Sequence, residues 1–258
     1  MPLTVVSKIP YGKKRYERFS LFASGRRSPL VVLVPGRWQQ IPERAAYFTV
    51  ARALVEDGMT VAVVDYSPLS AGWGQTQLDL QHALVAIVRE AVAMGGNAEN
   101  LVLWCEGLGA FMITQMIYSC IKGIWQLPSQ SSISGWLAVD GYWSEENIQQ
   151  LPARHPLRQL FPDARSWQEQ HLAFTSDRPL PPGLIVHLGQ SASAGAGSGA
   201  ASALSATESF VNRGVQLGND MTLLTRPEES KRIWRNIEKS DHPLRVTWRP
   251  WLQRVTRC

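Results

Sequence analysis

Leu101-Val102-Leu103-Trp104-Cys105-Glu106-Gly107-Leu108-Gly109-Ala110-Phe111 is the most informative run in the sequence. Its four leading apolar residues read as a buried strand. A glycine-containing turn follows and runs into an apolar helix through Ile113, Met116, Ile117 and Cys120. A strand that passes into a helix through so short a turn needs small residues where the two elements approach. Cys105 and Gly109 supply them, two places on either side of Gly107.

The same alternation extends in both directions. Leu30 to Val34 ends at Pro35-Gly36, and a helical pattern over 44–57 places Tyr47, Val50, Ala51, Leu54 and Val55 on one face before Gly58. Val61 to Val64 ends at Asp65-Tyr66. A helix over 77–94 follows, with Leu80, Leu84, Ile87, Val88 and Ala91 on one face and Gly95-Gly96 as its stop. Trp136 to Val139, Leu184 to Leu188 and Met221 to Thr225 read as further strands, and Pro227 with Glu228 and Glu229 opens a helix. Val5 to Ile9 and Glu17 to Ala23 alternate instead, as antiparallel edge strands joined through Pro10-Tyr11-Gly12 do. Continuous apolar strands interleaved with helices predict an α/β fold: a mainly parallel central sheet with helices on both faces.

The chain has 258 residues, 45% hydrophobic and 18% charged, which suits a single domain over 1–258. Residues 144–178, rich in Trp, Pro, Arg and His, read as a small cap segment. Residues 191–206, SASAGAGSGAASALSA, read as a flexible loop. The net charge of +5 lies largely in Lys13-Lys14-Arg15 and Arg26-Arg27, runs too short for a nucleic-acid-binding face. Three cysteines, Cys105, Cys120 and Cys258, make no disulfide framework and fit a reducing compartment. No apolar run reaches the ~18 residues of a membrane span, and the opening Met-Pro-Leu-Thr-Val-Val has no signal-peptide character. A cytoplasmic location is therefore expected. Ten tryptophans are many for this length; Trp136, Trp143, Trp248 and Trp251 fit either core and cleft lining or an aromatic ligand pocket.

In a sheet of this kind ligands sit beyond the carboxyl ends of the strands, and residues 101–111 have the strand–turn–helix context of a nucleophile elbow. Here the chain resembles the α/β-hydrolase superfamily, in its kynurenine formamidase-like and carboxylesterase-like branch. C-E-G-L-G-A at 105–110 stands where that branch carries G-H-S-A-G-A/G. Pro35-Gly36-Arg37-Trp38-Gln39 stands for its H-G-G-Y-W loop, Val64-Asp65-Tyr66-Ser67 for its V-D-Y-R segment, and Tyr11-Gly12 for its early Y-G turn. The likeness covers residues 5 to about 145. It implies the α/β-hydrolase fold, an ester- or amide-hydrolase cleft, and an oxyanion loop formed by backbone groups of Gly36, Arg37, Trp38 and Leu108.

The departures fall on the reactive positions. Gly107 takes the place of the nucleophilic serine, which relaxes a strained turn and removes the atom that forms an acyl-enzyme. Cys105 is either a small packing residue or a substitute nucleophile, although the latter needs a small residue at Leu103. Glu106, in the family histidine's place, is a structural polar contact or a general base. The family's acid should follow Leu184 to Leu188, but Gly189, Gln190, Ser191 and Ala192 come next; Asp140, after Trp136 to Val139, is a poorer fit to the family. His242 follows the last strand and has the right order for the base. His187 reads as a satisfied sheet residue, and His82 and His155 as surface residues. Arg37 either offers a guanidinium to an anionic ligand or points to solvent. Cysteine and histidine spacing gives no metal site, and no glycine pattern calls for a nucleotide or other cofactor.

Three functions follow: a pseudo-hydrolase that holds a small molecule or a protein partner in its cleft; a non-hydrolytic acid–base enzyme (lyase, cyclase or isomerase) using Glu106, His242 or Tyr66; and an ester or amide hydrolase using Cys105. A homo-oligomer is compatible with each. Arg245 to Arg257 is a partner surface or a terminal helix packed on the sheet.

Overall fold

In a computed structural model of the chain, residues 4–25, 27–36, 44–67, 71–128, 131–141, 143, 145–149, 153, 156–161, 179–188, 199–226, 237 and 239–256 are described. The strands are β1 (Thr4–Pro10), β2 (Arg18–Ala23), β3 (Ser28–Val34), β4 (Thr60–Val64), β5 (Gly96–Glu106), β6 (Ile133–Val139), β7 (Gly183–His187) and β8 (Met221–Thr225). The helices are α1 (Arg44–Glu56), α2 (Trp73–Ala93), α3 (Leu108–Ile121), α4 (Glu145–Gln149), α5 (Pro156–Leu160), α6 (Gly199–Gln216) and α7 (Pro243–Val255). The strands form an eight-stranded, mostly parallel sheet in the order β1-β2-β4-β3-β5-β6-β7-β8. The chain divides into two compact units. One holds residues 1–104, 126–136 and 232–258, the other 105–125 and 137–231.

In the first unit, β3 and β4 pair in parallel, Val31 opposite Val61 and Leu33 opposite Val63. Both are buried along their whole length, as their unbroken apolar sequences require. β2 runs antiparallel to β4, and β1 antiparallel to β2. β1 is almost wholly exposed; its pairing slips between Val6 and Ile9, and Lys8 lies there at φ 61. A kinked edge with a charged residue discourages pairing with another chain. Helix α2 starts at Trp73, earlier than its apolar pattern suggests, and buries Leu80, Leu84, Ile87, Val88 and Ala91. In α1, Tyr47, Val50, Ala51 and Leu54 are buried while Val55 is only partly covered.

The arginine-rich tail is helix α7, with Leu244, Arg245, Trp248, Trp251 and Leu252 buried. Its docking centres on Asp57, just past the end of α1. Arg245 Nε and Nη2 donate to Asp57 Oδ1 at 3.1 and 2.8 Å, Arg249 Nε and Nη2 at 3.0 and 2.6 Å, and Trp248 Nε1 donates to Oδ2 at 3.1 Å. Glu56 adds a second carboxylate to Arg245, 3.0 Å away. Trp248 also meets Trp104 edge-to-face, ring centroids 4.6 Å apart. Trp136, Trp143, Trp248 and Trp251 are all buried.

In the second unit, β7 and β8 pair in parallel from Gly183 opposite Met221 to His187 opposite Thr225. α3 is buried on every side from Leu108 to Tyr118, consistent with its uniformly apolar sequence. Helix α6 is a correction: it begins inside the 191–206 tract read from composition as a flexible loop. The second half of that tract is alanine-rich, and alanine has the highest helix propensity. Residues 191–198, the Pro227–Glu229 helix start and most of the 144–178 cap lie outside the described residues. Among the described residues no helix is long and apolar enough to cross a membrane.

Asp57 generates a pH prediction. Burial raises its proton affinity, but the Arg245, Arg249 and Trp248 donors outweigh that and hold its carboxyl below the usual value. A depressed folded pKa contributes stability that is present above the unfolded value of about 3.9 and lost as pH falls through the folded value. Asp57→Asn should lower stability by about 3 kcal/mol at neutral pH, because it leaves the buried Arg245 short of its partner. Below about pH 4 the gap to the unmodified chain should narrow. Urea unfolding at both pH values measures this.

Candidate functional site

Strand β5 passes into α3 through one residue, Gly107, at φ 54 and ψ −118. A side chain in that backbone region is strained, and glycine is not. Gly107 N donates to Val139 O at 2.8 Å, and its own carbonyl accepts from Ala110 N at 3.1 Å in the first turn of α3. The bend is therefore fixed at once to the end of β6 and to the helix it opens.

Cys105 is fully buried, and its Sγ donates to Leu137 O at 3.2 Å. Burial, helped by the Glu106 charge, pushes the thiol well above its usual pKa. Glu106 is buried as well. Leu108, the first residue of α3, is buried, and the leading N–H groups of a helix have no partner within it.

The residue after Val139 is Asp140, which adopts a left-handed φ of 47. Its N–H donates to Val186 O at 2.9 Å, and its Oδ1 accepts from Leu188 N at 2.6 Å. The same Oδ1 lies 3.7 Å from Nδ1 of His187, the last residue of β7. Both side chains are buried, His187 at 4% exposure and Asp140 at 9%. Burial lowers the His187 pKa while the Glu208 charge on α6 opposes the fall. Neither residue stood out in the sequence: His187 reads as a sheet residue and Asp140 as a poor match to the family's acid. The available signal was that each closes an apolar strand at the carboxyl edge.

The next residue, Gly141, lies against the aromatic side of this turn. A Cβ there would come within 2.3 Å of the Trp143 ring and 2.8 Å of Ala110 Cβ. Trp143 is itself stacked on Phe210 of α6 at 4.1 Å.

In the first unit the resembling motifs are joined by hydrogen bonds. The Tyr11 hydroxyl donates to Asp65 O at 2.6 Å, and the Tyr66 hydroxyl donates to Pro35 O, next to buried Gly36. Asp79 on α2 anchors the segment after β4. It accepts from Ser67 N at 2.9 Å, from the Ser67 hydroxyl, and from Gln75 Nε2 at 2.6 Å. Burial and the neighbouring carboxylates push the Tyr11 hydroxyl far above its ordinary pKa. Arg37 and Trp38 lie outside the described residues, as does His155. His242 caps α7, its Nδ1 accepting from Leu244 N at 3.2 Å ahead of Pro243. His82 is exposed on α2. Among the described residues no group of three or more His, Cys, Asp or Glu side chains is placed to hold a metal ion.

No protein-family model matches the chain. No curated protein matches it either. Solved structures do. The crystal structure of esterase B from Lactobacillus Rhamnosis (HN001) matches with a TM-score of 0.75 at 10% identity, over 99% of this chain and 85% of that one. A structure of arylesterase matches with a TM-score of 0.66 at 12% identity, over 98% and 85%. Esterase LipW from Mycobacterium marinum matches with a TM-score of 0.58 at 15% identity, over 95% and 82%. At such identities the likeness speaks for the fold. Together with the strand order it shows that the chain has the α/β-hydrolase fold.

The crowding at Gly141 carries a prediction. Gly141→Ala should crowd the Trp143 ring and Ala110 and lower stability by about 1–3 kcal/mol. Thermal unfolding of the variant measures this.

Proposed function

We propose that this chain is an esterase-like α/β-hydrolase-fold protein without the covalent route of its fold, a pseudo-hydrolase that holds a small molecule or a protein partner in its cleft. One observation carries the reading. Gly107 occupies the bend where the resembling family presents its serine, in the backbone geometry of a nucleophile elbow, and offers no side-chain atom. Loss of the nucleophile removes about 10⁶ in rate from a Ser-type triad, leaving at most ~10³–10⁴ over water from oxyanion contacts and binding.

The surroundings support the same reading. Cys105 is a poor replacement nucleophile: the reactive form is the thiolate, and burial beside Glu106 together with its bond to Leu137 favours the thiol. Tyr66 is engaged with the Pro35 carbonyl and His242 with the start of α7, which argues for structural roles in both. Tyr11-Gly12, Pro35-Gly36 and Val64-Asp65-Tyr66 support a resemblance to the kynurenine formamidase-like branch. A second reading, a non-covalent acid–base enzyme, is favoured by the Asp140–His187 pair.

A fluorophosphonate probe tests the proposal. The folded chain should show no adduct by intact-mass measurement, and p-nitrophenyl acetate should give no burst of nitrophenol. A stoichiometric adduct on any cleft side chain would refute it. Iodoacetamide should also leave Cys105 unmodified in the native chain and modify it after denaturation.

A further inference from the structure

We infer that the outer face of helix α2 joins two copies of this chain, the two helices packing antiparallel through Leu78, Val85 and Val92. This face lies wholly in the first unit and does not involve the bend at Gly107, so either proposal can fail alone.

The character of the face is the first argument. Helix α2 has 21 residues, a length of about 31 Å. One side packs on β2 and β4. The other exposes Gly74, Leu78, His82, Val85, Arg89 and Val92. A surface helix ordinarily turns charged and polar residues to water. Here three large apolar side chains are about half exposed, Leu78 at 48%, Val85 at 47% and Val92 at 52%. They recur every seven residues, which is the spacing of a helix–helix seam. Charge does not oppose a second copy. The acidic and basic residues of α2 are Asp79, Arg89 and Glu90. Asp79 is buried and bonded to Ser67 and Gln75. Arg89 Nε and Nη2 donate to Glu90 Oε1 at 3.0 and 2.9 Å, so this pair neutralises itself.

Shape is the second argument. Val85, Val88, Arg89 and Val92 stand at i, i+3, i+4 and i+7, the four corners of a socket for one side chain of a facing helix. All four line a groove of about 680 Å³, which Arg27 and Pro128 also line. Seven residues earlier, Leu78, Gln81, His82 and Val85 make a second socket. Gly74, Gln75 and Leu78 make a third at the start of the helix. Sockets and apolar side chains share one period, so a single antiparallel register fills all three. The partner subunit's Leu78 enters the groove, the partner subunit's Val85 the second socket and the partner subunit's Val92 the third. A twofold axis makes each contact reciprocal. Gly74 suits this arrangement. Beyond the helix's own backbone, a Cβ there would meet nothing within 4 Å, so nothing in the chain itself needs a glycine. Glycine weakens a helix but admits the close approach of a neighbour. The antiparallel register also sets the two Arg89 residues about 17 Å apart along the seam, beyond a screening length of about 10 Å. A parallel pair would bring them together.

A seam of this length with its groove buries on the order of 1,000 Å² in all, the low end for specific association. Sedimentation velocity of the full chain should therefore show a reversible monomer–dimer equilibrium, with dissociation in the micromolar range. Leu78→Glu and Val85→Glu should each weaken the dimer about tenfold or more. Gly74→Leu should do the same by filling the third socket. Its side chain has open space in the single chain, so the fold should survive, as far-UV circular dichroism would confirm. Val215→Glu, at an equally exposed valine of α6, should leave the equilibrium unchanged. A chain that stays monomeric into the high micromolar range overturns the inference, including one that sediments with phosphatidylglycerol vesicles instead. A dimer that survives both Val85→Glu and Gly74→Leu also overturns it.

Discussion

The bend at Gly107 constrains everything around it. An extended strand and a buried helix are joined by a single residue, and the backbone can turn that sharply only in a region that excludes a relaxed side chain. The bend is secured by a hydrogen bond to Val139, so the ends of β5 and β6 are held together. That registration sets where Asp140 emerges and, through Leu188 and Val186, where β7 stops. Glycine holds this conformation without the strain that a side chain would bring.

Buried carboxylates organise the first unit in two ways. Asp57 is surrounded by arginines and an indole, and it binds a helix from the end of the chain to one near its start. Asp79 instead accepts neutral donors from Ser67 and Gln75, and orders the segment after β4. Such groups are costly to bury alone and become acceptable only when their hydrogen bonds are complete. Asp57 and Asp79 tie the α7 tail and the segment after β4 to the fold through hydrogen bonds.

The succession of strands and helices was largely legible because each central strand is a continuous apolar run and each intervening helix carries a 3.6-residue apolar stripe. Leu30 to Val34, Val61 to Val64 and Leu101 to Trp104 all lie in buried strands. Helix α6 escaped because glycine and serine in its leading half resemble a linker, and composition does not reveal what a segment packs against. The site was harder to read. Gly107 was visible through its neighbours Cys105 and Gly109. The pairing of Asp140 with His187 depends on adjacent strands separated by a long stretch of sequence, and no local pattern encodes which residue a side chain will meet. His242 had the right order along the chain but serves as a helix cap, a role that its neighbour Pro243 would have suggested.

The Trp104–Trp248 contact has an optical consequence. Two buried indoles at 4.6 Å and 73° are close enough for their electronic transitions to couple, and one of them belongs to the helix held by Asp57. Any undocking of that helix would separate the two chromophores. The circular dichroism of the aromatic bands then reports the loosening of the terminal helix independently of backbone signals, giving this chain a built-in gauge of its own carboxyl-terminal closure.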